Sequence, residues 1–281
     1  MTTAPPARFR PRKALGQHFL ADNLVLNQVV AAADIAAGDV VLEVGPGLGS
    51  LTRRLVERGA QVIAVEIDPA LAAALAARLG NPSNLVVVEG DARTIDLASL
   101  VGPERPYKVV ANLPYYAANP IIRRFLESSP KPRLMVVMVQ EEVARSMVAG
   151  PGKMNLLSVA IQYYAVPSLV ATVPPRAFRP PPKVASAILR LDLRPSPAVE
   201  AVDEVAFFNV VRAGFSAPRK QLRNSLSLGL RASPAAVGSL LETLGLDGSR
   251  RPATLSLEEW ALILHGWERV DQVGSPSLRQ D

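Results

Sequence analysis

The chain has 281 residues, of which 49% are hydrophobic, so it can bury a sizeable core in one large domain or in a domain with a smaller partner. It has no cysteine and two histidines, which excludes disulfides, thiolate nucleophiles and cysteine- or histidine-rich metal sites; we expect no metal and a reducing, cytoplasmic environment. The net charge of +6 weakly favours an anionic partner, and no apolar run is long and uncharged enough to cross a bilayer.

We expect residues 1–13 to form a flexible basic arm. Prolines oppose regular structure there, and Arg8, Arg10, Arg12 and Lys13 carry four positive charges without an intervening acid. Such an arm suits contact with a phosphate backbone, although a solvated tail explains the pattern equally well. The segment lacks the apolar stretch of a signal peptide.

From Asp39 onwards, short apolar runs alternate with amphipathic segments. Unbroken runs of Val, Ile and Leu are typical of strands buried on both faces, so the alternation predicts a doubly wound α/β domain around a parallel sheet over residues 14–194. The predicted strands are Val40–Val44, Gln61–Ile67, Leu85–Val88, Tyr107–Val110, Leu134–Val139, Val170–Val173 and Val184–Leu191. The predicted helices follow Asp22 and cover Ser50–Arg58, Pro69–Leu79 and Leu156–Tyr164.

The end of the chain follows a different pattern. Arg194–Pro197 is a proline-rich linker, and the segments after it have the spacing of helices. We predict a small all-α C-terminal domain over residues 198–270 and a disordered tail over residues 271–281. Its predicted helices cover residues 203–215, 218–229, 234–244 and 256–268.

The first predicted strand end carries a glycine loop, Gly45-Pro46-Gly47-Leu48-Gly49, directly before a helix. Glycine lets the backbone pass close to a ligand, and a helix N-terminus favours polar or anionic groups, so we assign Gly45 and Gly47 to a cofactor site. The spacing alone is weak evidence, since a nicotinamide-dependent dehydrogenase has a similar loop.

Carboxylate and amide side chains follow at the next three strand ends. Glu66 suits the two hydroxyls of a ribose, and Asp91 suits an adenine amine, although Asp91 also fits a helix cap. Asn112 closes the fourth strand. Because the carboxyl ends of parallel strands line one crevice, these positions together predict a site for an adenosine-containing cofactor. S-Adenosylmethionine fits best, because methyl transfer needs in-line geometry and neither a cysteine nor a metal.

The segment Asn112-Leu113-Pro114-Tyr115 predicts how a nucleobase amine is made reactive. Adenine's exocyclic nitrogen is a poor nucleophile because its lone pair is delocalised into the ring. The side-chain oxygen of Asn112 and the carbonyl of Leu113 are two acceptors for the amine's hydrogens. Pro114 stiffens the turn, and Tyr115 offers a flat face to a base swung out of its stack. We expect no general base; a plain strand-end turn with a core tyrosine is the competing interpretation.

Five stretches closely resemble the small-subunit ribosomal RNA adenine dimethyltransferase family, over nearly the whole chain. They are Lys13–Leu20, Glu43–Gly49, Ala111–Tyr116, Phe178–Val184 and Arg219–Leu226. The resemblance implies a Rossmann-like class I methyltransferase fold and dimethylation of two adjacent adenines near the 3′ end of 16S rRNA, in the small ribosomal subunit or its precursor. We expect the protein to act as a monomer.

The resemblance also implies roles for individual residues. Tyr115 and Phe178 are expected to sandwich the target base. His18 and Tyr116 stand where many members of the family carry asparagine. The implied cofactor residues are His18, Leu20, Gly45, Glu66, Asp91 and Asn112.

Two basic clusters are candidates for RNA contact. Arg219, Lys220 and Arg223 stand at helical spacing, and Arg179 and Lys183 flank a run of three prolines. Such charges suit phosphates without reading sequence, although a solvated face is the alternative.

Three other functions stay open at this point. One is a large-subunit rRNA adenine methylase of the antibiotic-resistance type, against which the stretch Arg219–Leu226 argues. Another is a non-catalytic ribosome-assembly or transcription factor on the same fold. A nicotinamide-dependent dehydrogenase is the most distant.

Overall fold

The apolar runs of the sequence form strands, and amphipathic segments form helices, in the computed structural model of the protein. The structure describes residues 16–200 and 203–273; the predicted N-terminal arm, residues 1–13, lies outside the described residues. The first elements are β1 (Phe19–Leu20), α1 (Asn23–Ala32), β2 (Val40–Val44), α2 (Ser50–Glu57), β3 (Gln61–Glu66), α3 (Pro69–Arg78), β4 (Leu85–Glu89), α4 (Leu97–Val101), β5 (Tyr107–Asn112) and α5 (Ala118–Glu127). The chain continues through β6 (Leu134–Gln140), α6 (Glu141–Met147), α7 (Leu156–Tyr164), β7 (Ala165–Val173), β8 (Phe178–Arg179), β9 (Ser186–Leu193), α8 (Glu204–Gly214), α9 (Leu222–Leu230), α10 (Pro234–Thr243) and α11 (Leu257–Val273).

The main sheet has seven strands in the order β4-β3-β2-β5-β6-β9-β7. The chain winds outward from β2 to β4 and then returns to the other side of β2, so the order reverses between β2 and β5. Open α/β sheets bind ligands in the crevice beside the carboxyl ends of the strands at such a switch point. The doubly wound α/β fold is therefore confirmed.

One feature of the predicted sheet is wrong. Strands β2 to β6 pair in parallel, but β9 runs antiparallel to β6, with Leu134 opposite Asp192 and Gln140 opposite Ser186. The sheet is therefore mixed. Apolar runs report burial of a strand on both faces, which is the same for either strand direction, so the runs alone do not reveal the reversal.

Helix starts follow the capping residues of the sequence. The Asp22 side chain accepts a hydrogen bond from Leu24 N (2.9 Å) at the start of α1, and the Asp68 side chain does the same for Ala70 N (3.0 Å) at α3. Pro69 occupies the first turn of α3, where its missing N–H has no intrahelical partner to lose. The Asp68 cap marks where the chain turns from the carboxyl edge of the main sheet, at the end of β3, into α3.

The described residues divide into two compact units. The first extends to Ala144 and includes Ser168–Leu193; the second comprises Arg145–Pro167 and the chain from Arg194 onwards. The segment Arg145–Pro167 was predicted to belong to the methyltransferase domain, and the structure groups it with the C-terminal helices instead. The reason is α7, whose Tyr163 ring stacks on Phe207 of α8 with centroids 4.9 Å apart.

Five helices differ from the prediction by their existence or by more than one residue at one end. Helices α4, α5 and α6 were not predicted, and α11 extends to Val273, into the predicted tail; residues 274–281 lie outside the described residues. Helix α9 begins at Leu222 rather than at residue 218, because the Ser225 hydroxyl donates to Ala217 O (2.7 Å) and holds the preceding residues in a turn. Within residues 16–200 and 203–273, no helix combines the length and apolarity needed to cross a membrane.

We expect Gly229→Ala in α9 to destabilise the second compact unit, called the helical unit below, even though alanine favours helix over glycine by about 1 kcal/mol. A Cβ at this position would lie 2.3 Å from Ala213 Cα and 2.5 Å from Ala213 O, so α8 and α9 would have to separate. The free energy of unfolding should fall by about 1–3 kcal/mol. Urea titration with tryptophan fluorescence measures it, because Trp260 and Trp267 both lie in α11.

Gly238→Ala in α10 is the matched control. The atom nearest to its added Cβ is Arg223 Cδ at 3.4 Å, an ordinary contact with a flexible side chain. This variant should gain up to about 1 kcal/mol of stability. Equal effects of the two substitutions would contradict a close approach between α8 and α9.

Candidate active site

Most of the predicted site residues line one open cleft of ≈ 620 Å³ at the carboxyl edge of the sheet. The predicted residues around it are His18, Gly45, Gly47, Glu66, Asn112, Leu113, Pro114, Tyr115 and Phe178. A second cavity contains Asp91 and shares Gly45, Ile67, Pro114 and Tyr116 with the cleft, so the two are adjacent. The strand ends that the sequence predicted to share a crevice therefore do meet at one edge of the sheet.

A two-stranded antiparallel sheet closes one side of this cleft. Strand β1 pairs with β8, which places Phe19 opposite Arg179 and Leu20 opposite Phe178. The pairing joins two stretches that are about 160 residues apart in the sequence. Leu20 is 5% exposed and packs into the core, so its side chain supports the site from below and lines a small cavity beside Glu43.

The glycine loop is held in place by Glu66. The two carboxylate oxygens accept hydrogen bonds from Gly47 N and from Asp68 N, each at 3.0 Å. Burial raises the pKa of Glu66. A carboxylate has about four acceptor positions, so each oxygen keeps capacity for a further donor such as a ribose hydroxyl. Gly47 requires its φ of +57° and its lack of a Cβ, which would lie 2.9 Å from the Phe19 ring.

Glu43 is a second buried acid beside the loop, and it is 1% exposed. Burial, together with the nearby charge of Glu66, raises the pKa of Glu43 to about 8. Among the described residues, its Oε2 atom has no hydrogen-bond partner. The site therefore offers the unpartnered oxygen of Glu43, the spare acceptor positions of Glu66 and an open glycine loop. These features fit a cofactor that carries hydroxyl and ammonium donors, and S-adenosylmethionine has both.

The orientation of the Asn112 amide is fixed by a backbone carbonyl. Asn112 Nδ2 donates to His18 O at 2.9 Å. A carbonyl oxygen can only accept, so the nitrogen must occupy this end of the amide, and the side-chain oxygen becomes the free acceptor. Leu113 continues the strand edge, with its N–H donating to Met138 O (3.2 Å). The acceptor that the sequence assigned to Asn112 is therefore available at the cleft.

Tyr115 is fixed in position at the mouth of the cleft. Its hydroxyl pairs with Ser186 Oγ at 2.7 Å, and burial raises the pKa of Tyr115. The ring that stacks on it is His18, at a centroid distance of 6.0 Å and an interplanar angle of 27°. His18 Nδ1 donates to Pro180 O at 2.8 Å. Phe178 lines the same cleft but is 1% exposed, so its place in a base sandwich stays a prediction.

The predicted RNA contacts lie on the surface in two places. Arg179 and Lys183 are exposed, and Arg179 Nη1 donates to Arg176 O (2.8 Å) and Phe178 O (2.9 Å), which folds its side chain over its own loop. In the helical unit, the helical spacing predicted for Arg219, Lys220 and Arg223 is wrong. Those three residues are exposed, but the first two lie in the turn before α9 and only the third lies in the helix.

Three features of the cleft and its surroundings escaped the sequence analysis. The His18 carbonyl that orients Asn112 depends on tertiary pairing and has no signature in the sequence. Glu43 stands in the glycine motif, but its burial is visible only in the fold. Arg93, which pairs with Asp91, is two residues away from that acid, a spacing that does not reveal a contact.

We expect Glu43→Gln to flatten the pH dependence of stability. The folded-state pKa of about 8 lies above the ordinary value of 4.5, so this group stabilises the fold fully below pH 4.5 and loses that contribution as pH rises through 8. Relative to the variant, the wild type should lose about 4 kcal/mol of unfolding free energy between pH 5 and pH 8. Urea titrations followed by circular dichroism measure the difference.

The exposed Glu57→Gln in α2 serves as the control, because it removes a carboxylate of the same unit without changing a buried one. Its free energy of unfolding should change with pH in parallel with that of the wild type. Parallel curves for wild type and Glu43→Gln would show that Glu43 is charged throughout this range.

Comparison with known proteins gives one family. Residues 8–263 match the family described as ribosomal RNA adenine dimethylase. The chain is 47% identical over 254 residues to the ribosomal RNA small subunit methyltransferase A of Dehalococcoides mccartyi, covering 90% of this chain and 87% of that protein. It is 44% identical over 265 residues to the protein of the same name from Pelotomaculum thermopropionicum, covering 90% of each.

Two crystal structures share the fold over most of the chain. The 23S rRNA methyltransferase ErmE matches with a TM-score of 0.72 and 31% identity, over 89% of this chain and 99% of that one. A dimethyladenosine transferase from Plasmodium falciparum matches with a TM-score of 0.76 and 26% identity, over 92% of this chain and 98% of that one. From the match over residues 8–263 and the identity to these relatives, the chain belongs to the ribosomal RNA adenine dimethylase family.

Proposed function

We propose that this protein transfers methyl groups from S-adenosylmethionine to the exocyclic amines of two adjacent adenines near the 3′ end of 16S rRNA. The acceptor is the small ribosomal subunit or its precursor, and the protein acts on it as a monomer in the cytoplasm. The family and the small-subunit name of the relatives support this function. The nicotinamide-dependent alternative is discarded, because the family is one of dimethylases.

The orientation of Asn112 is the observation that carries the proposal. Its amide oxygen and the Leu113 carbonyl are two acceptors at one strand end, and an adenine amine has two hydrogens to give them. Holding both hydrogens favours a tetrahedral nitrogen, whose lone pair is less delocalised into the ring. Because the His18 carbonyl already fixes the amide, no reorganisation is needed when the base arrives.

The aromatic side chains position the base itself. Tyr115 presents a ring whose hydroxyl is anchored to Ser186, and Phe178 lines the same cleft. A base swung out of its stack loses contacts with its neighbours, and stacking on such rings replaces them. Pro114 keeps the turn between Asn112 and Tyr115 rigid, so the hydrogen-bond acceptors and the stacking ring stay in register.

The cofactor residues surround the glycine loop. S-Adenosylmethionine, when bound, supplies a methyl group on a positively charged sulfur that is a good leaving group. Glu66 accepts the ribose hydroxyls and Asp91 the adenine amine, while Gly45 and Gly47 leave room for close approach of the backbone. His18 and Leu20 complete the predicted set from β1 and the residue before it. No side chain acts as general base, because the amine's proton becomes acidic on alkylation and passes to water.

RNA contact is assigned to the two basic clusters. Arg219 and Lys220 stand directly before the N-terminus of α9, where the helix dipole also favours anions, and Arg223 follows in the first turn. Arg179 and Lys183 are exposed on the loop after Phe178. These charges bind phosphates without distinguishing sequences, so selection of the adenines depends on RNA shape.

We expect Asn112→Ala to lower the methylation rate by about 10²–10³-fold, because an oriented acceptor for the target amine is lost. Binding of the RNA substrate should persist. Transfer of labelled methyl groups and a filter-binding assay measure the two properties separately. The exposed Asn27→Ala in α1 is the matched control and should leave both unchanged.

Activity near the wild-type level in Asn112→Ala would refute this account of amine activation. A role restricted to assembly predicts a different result. In that case, the wild type itself would bind small-subunit RNA without methylating it.

A large-subunit acceptor is the second candidate function, because the ErmE structure is 31% identical to this chain. We expect purified small subunits that lack dimethyladenosine to accept methyl groups and large subunits to accept none above background. Mass spectrometry of the RNA after reaction should find dimethyladenosine in the small-subunit fragment. Methylation of the large subunit alone would favour the second candidate.

A further inference from the structure

Arg93 forms a close ion pair with Asp91. Arg93 Nε donates to both carboxylate oxygens of Asp91 at 3.0 Å, and Nη2 donates to Oδ2 at 2.6 Å. The backbone N–H of Arg93 also donates to Oδ1 at 2.9 Å. The hydrogen bond from Arg93 holds the pKa of the Asp91 carboxyl below its usual range.

This pair engages both oxygens of the carboxylate. An ionised carboxylate has about four lone-pair positions, and here three N–H groups of Arg93 make four contacts, because Nε is shared between Oδ1 and Oδ2. The backbone contact belongs to the turn after β4 and stays with the fold. The guanidinium contacts belong to an exposed side chain, which is free to swing away.

The ion pair lies in the wall of a cavity. Asp91 and Arg93 line the same cavity as Gly45, Ile67 and Tyr116, and these last three residues also line the main cleft. Asp91 is the acid that the proposed function assigns to the adenine amine of the cofactor. An amine donor that enters this cavity therefore finds its acceptor already occupied.

We propose that Arg93 is an internal competitor for the cofactor's adenine amine and so sets the affinity for adenosine-containing ligands at this site. The inference rests on the proposed function, because it takes Asp91 as the adenine acceptor. The adenine amine displaces the guanidinium from one carboxylate oxygen, and Arg93 turns outwards into solvent. Methyl donor and demethylated product carry the same amine, so the competition weakens the binding of both and speeds product release.

The test is the affinity of Arg93→Met for S-adenosylhomocysteine, measured by isothermal titration calorimetry. Methionine keeps the length of the side chain and removes its donors. Exposed ion pairs are weak, so the dissociation constant should fall by about two- to fivefold relative to the wild type. The difference should narrow in 1 M NaCl, because salt screens the competing pair in the wild type. Arg93→Lys keeps the charge without the paired guanidinium donors, so its dissociation constant should lie between those of the wild type and Arg93→Met.

The inosine analogue of S-adenosylhomocysteine separates competition from a general change in the cavity. It has an oxygen in place of the amine, so Arg93→Met should not tighten its binding. Arg123→Met removes an exposed, ion-paired arginine from α5 and should leave both affinities unchanged.

Weaker or unchanged binding of S-adenosylhomocysteine by Arg93→Met would overturn the proposal, and weaker binding would show that Arg93 positions Asp91 instead. Equal tightening for the inosine analogue would also overturn it. Failure of the wild type to bind S-adenosylhomocysteine would remove the proposed function itself and this inference with it.

Discussion

The hydrogen bond from Asn112 to the carbonyl of His18 is the interaction on which the active site depends. An amide has one donating and one accepting end, so a carbonyl that binds the donor decides where the acceptor lies. That carbonyl is in turn held by the pairing of β1 with β8. The parallel sheet brings Asn112 to the cleft, and a second, much smaller sheet gives its side chain a direction.

Much of the fold follows from local pattern. The strand Val40–Val44 and the helix Leu156–Tyr164 have the predicted bounds, because a continuous apolar run and an Asn155 cap mark their ends. The antiparallel direction of β9 and the pairing of Leu20 with Phe178 depend on distant partners. Neither has a periodic signal, so both required the structure.

The features of the site also divide into those that local sequence predicts and those that depend on tertiary packing. Residue types at strand ends predicted that Glu66 and Asn112 share a cleft, since the topology of parallel strands brings those ends together. The orientation of the side chains and the protonation of the buried acids could not be predicted from the sequence. The ring facing Tyr115 is that of His18, and the burial that raises the pKa of Glu43 follows from packing that a single sequence does not specify.

The chain crosses three times between its compact units, and this limits how the protein can be dissected. A fragment that stops after Leu193 retains α7 but loses α8, the helix whose Phe207 covers Tyr163. Its aromatic surface, now without a partner, would favour aggregation of the fragment. A soluble catalytic fragment therefore needs an internal deletion, with a short connector replacing Arg145–Pro167, as well as removal of everything beyond Leu193.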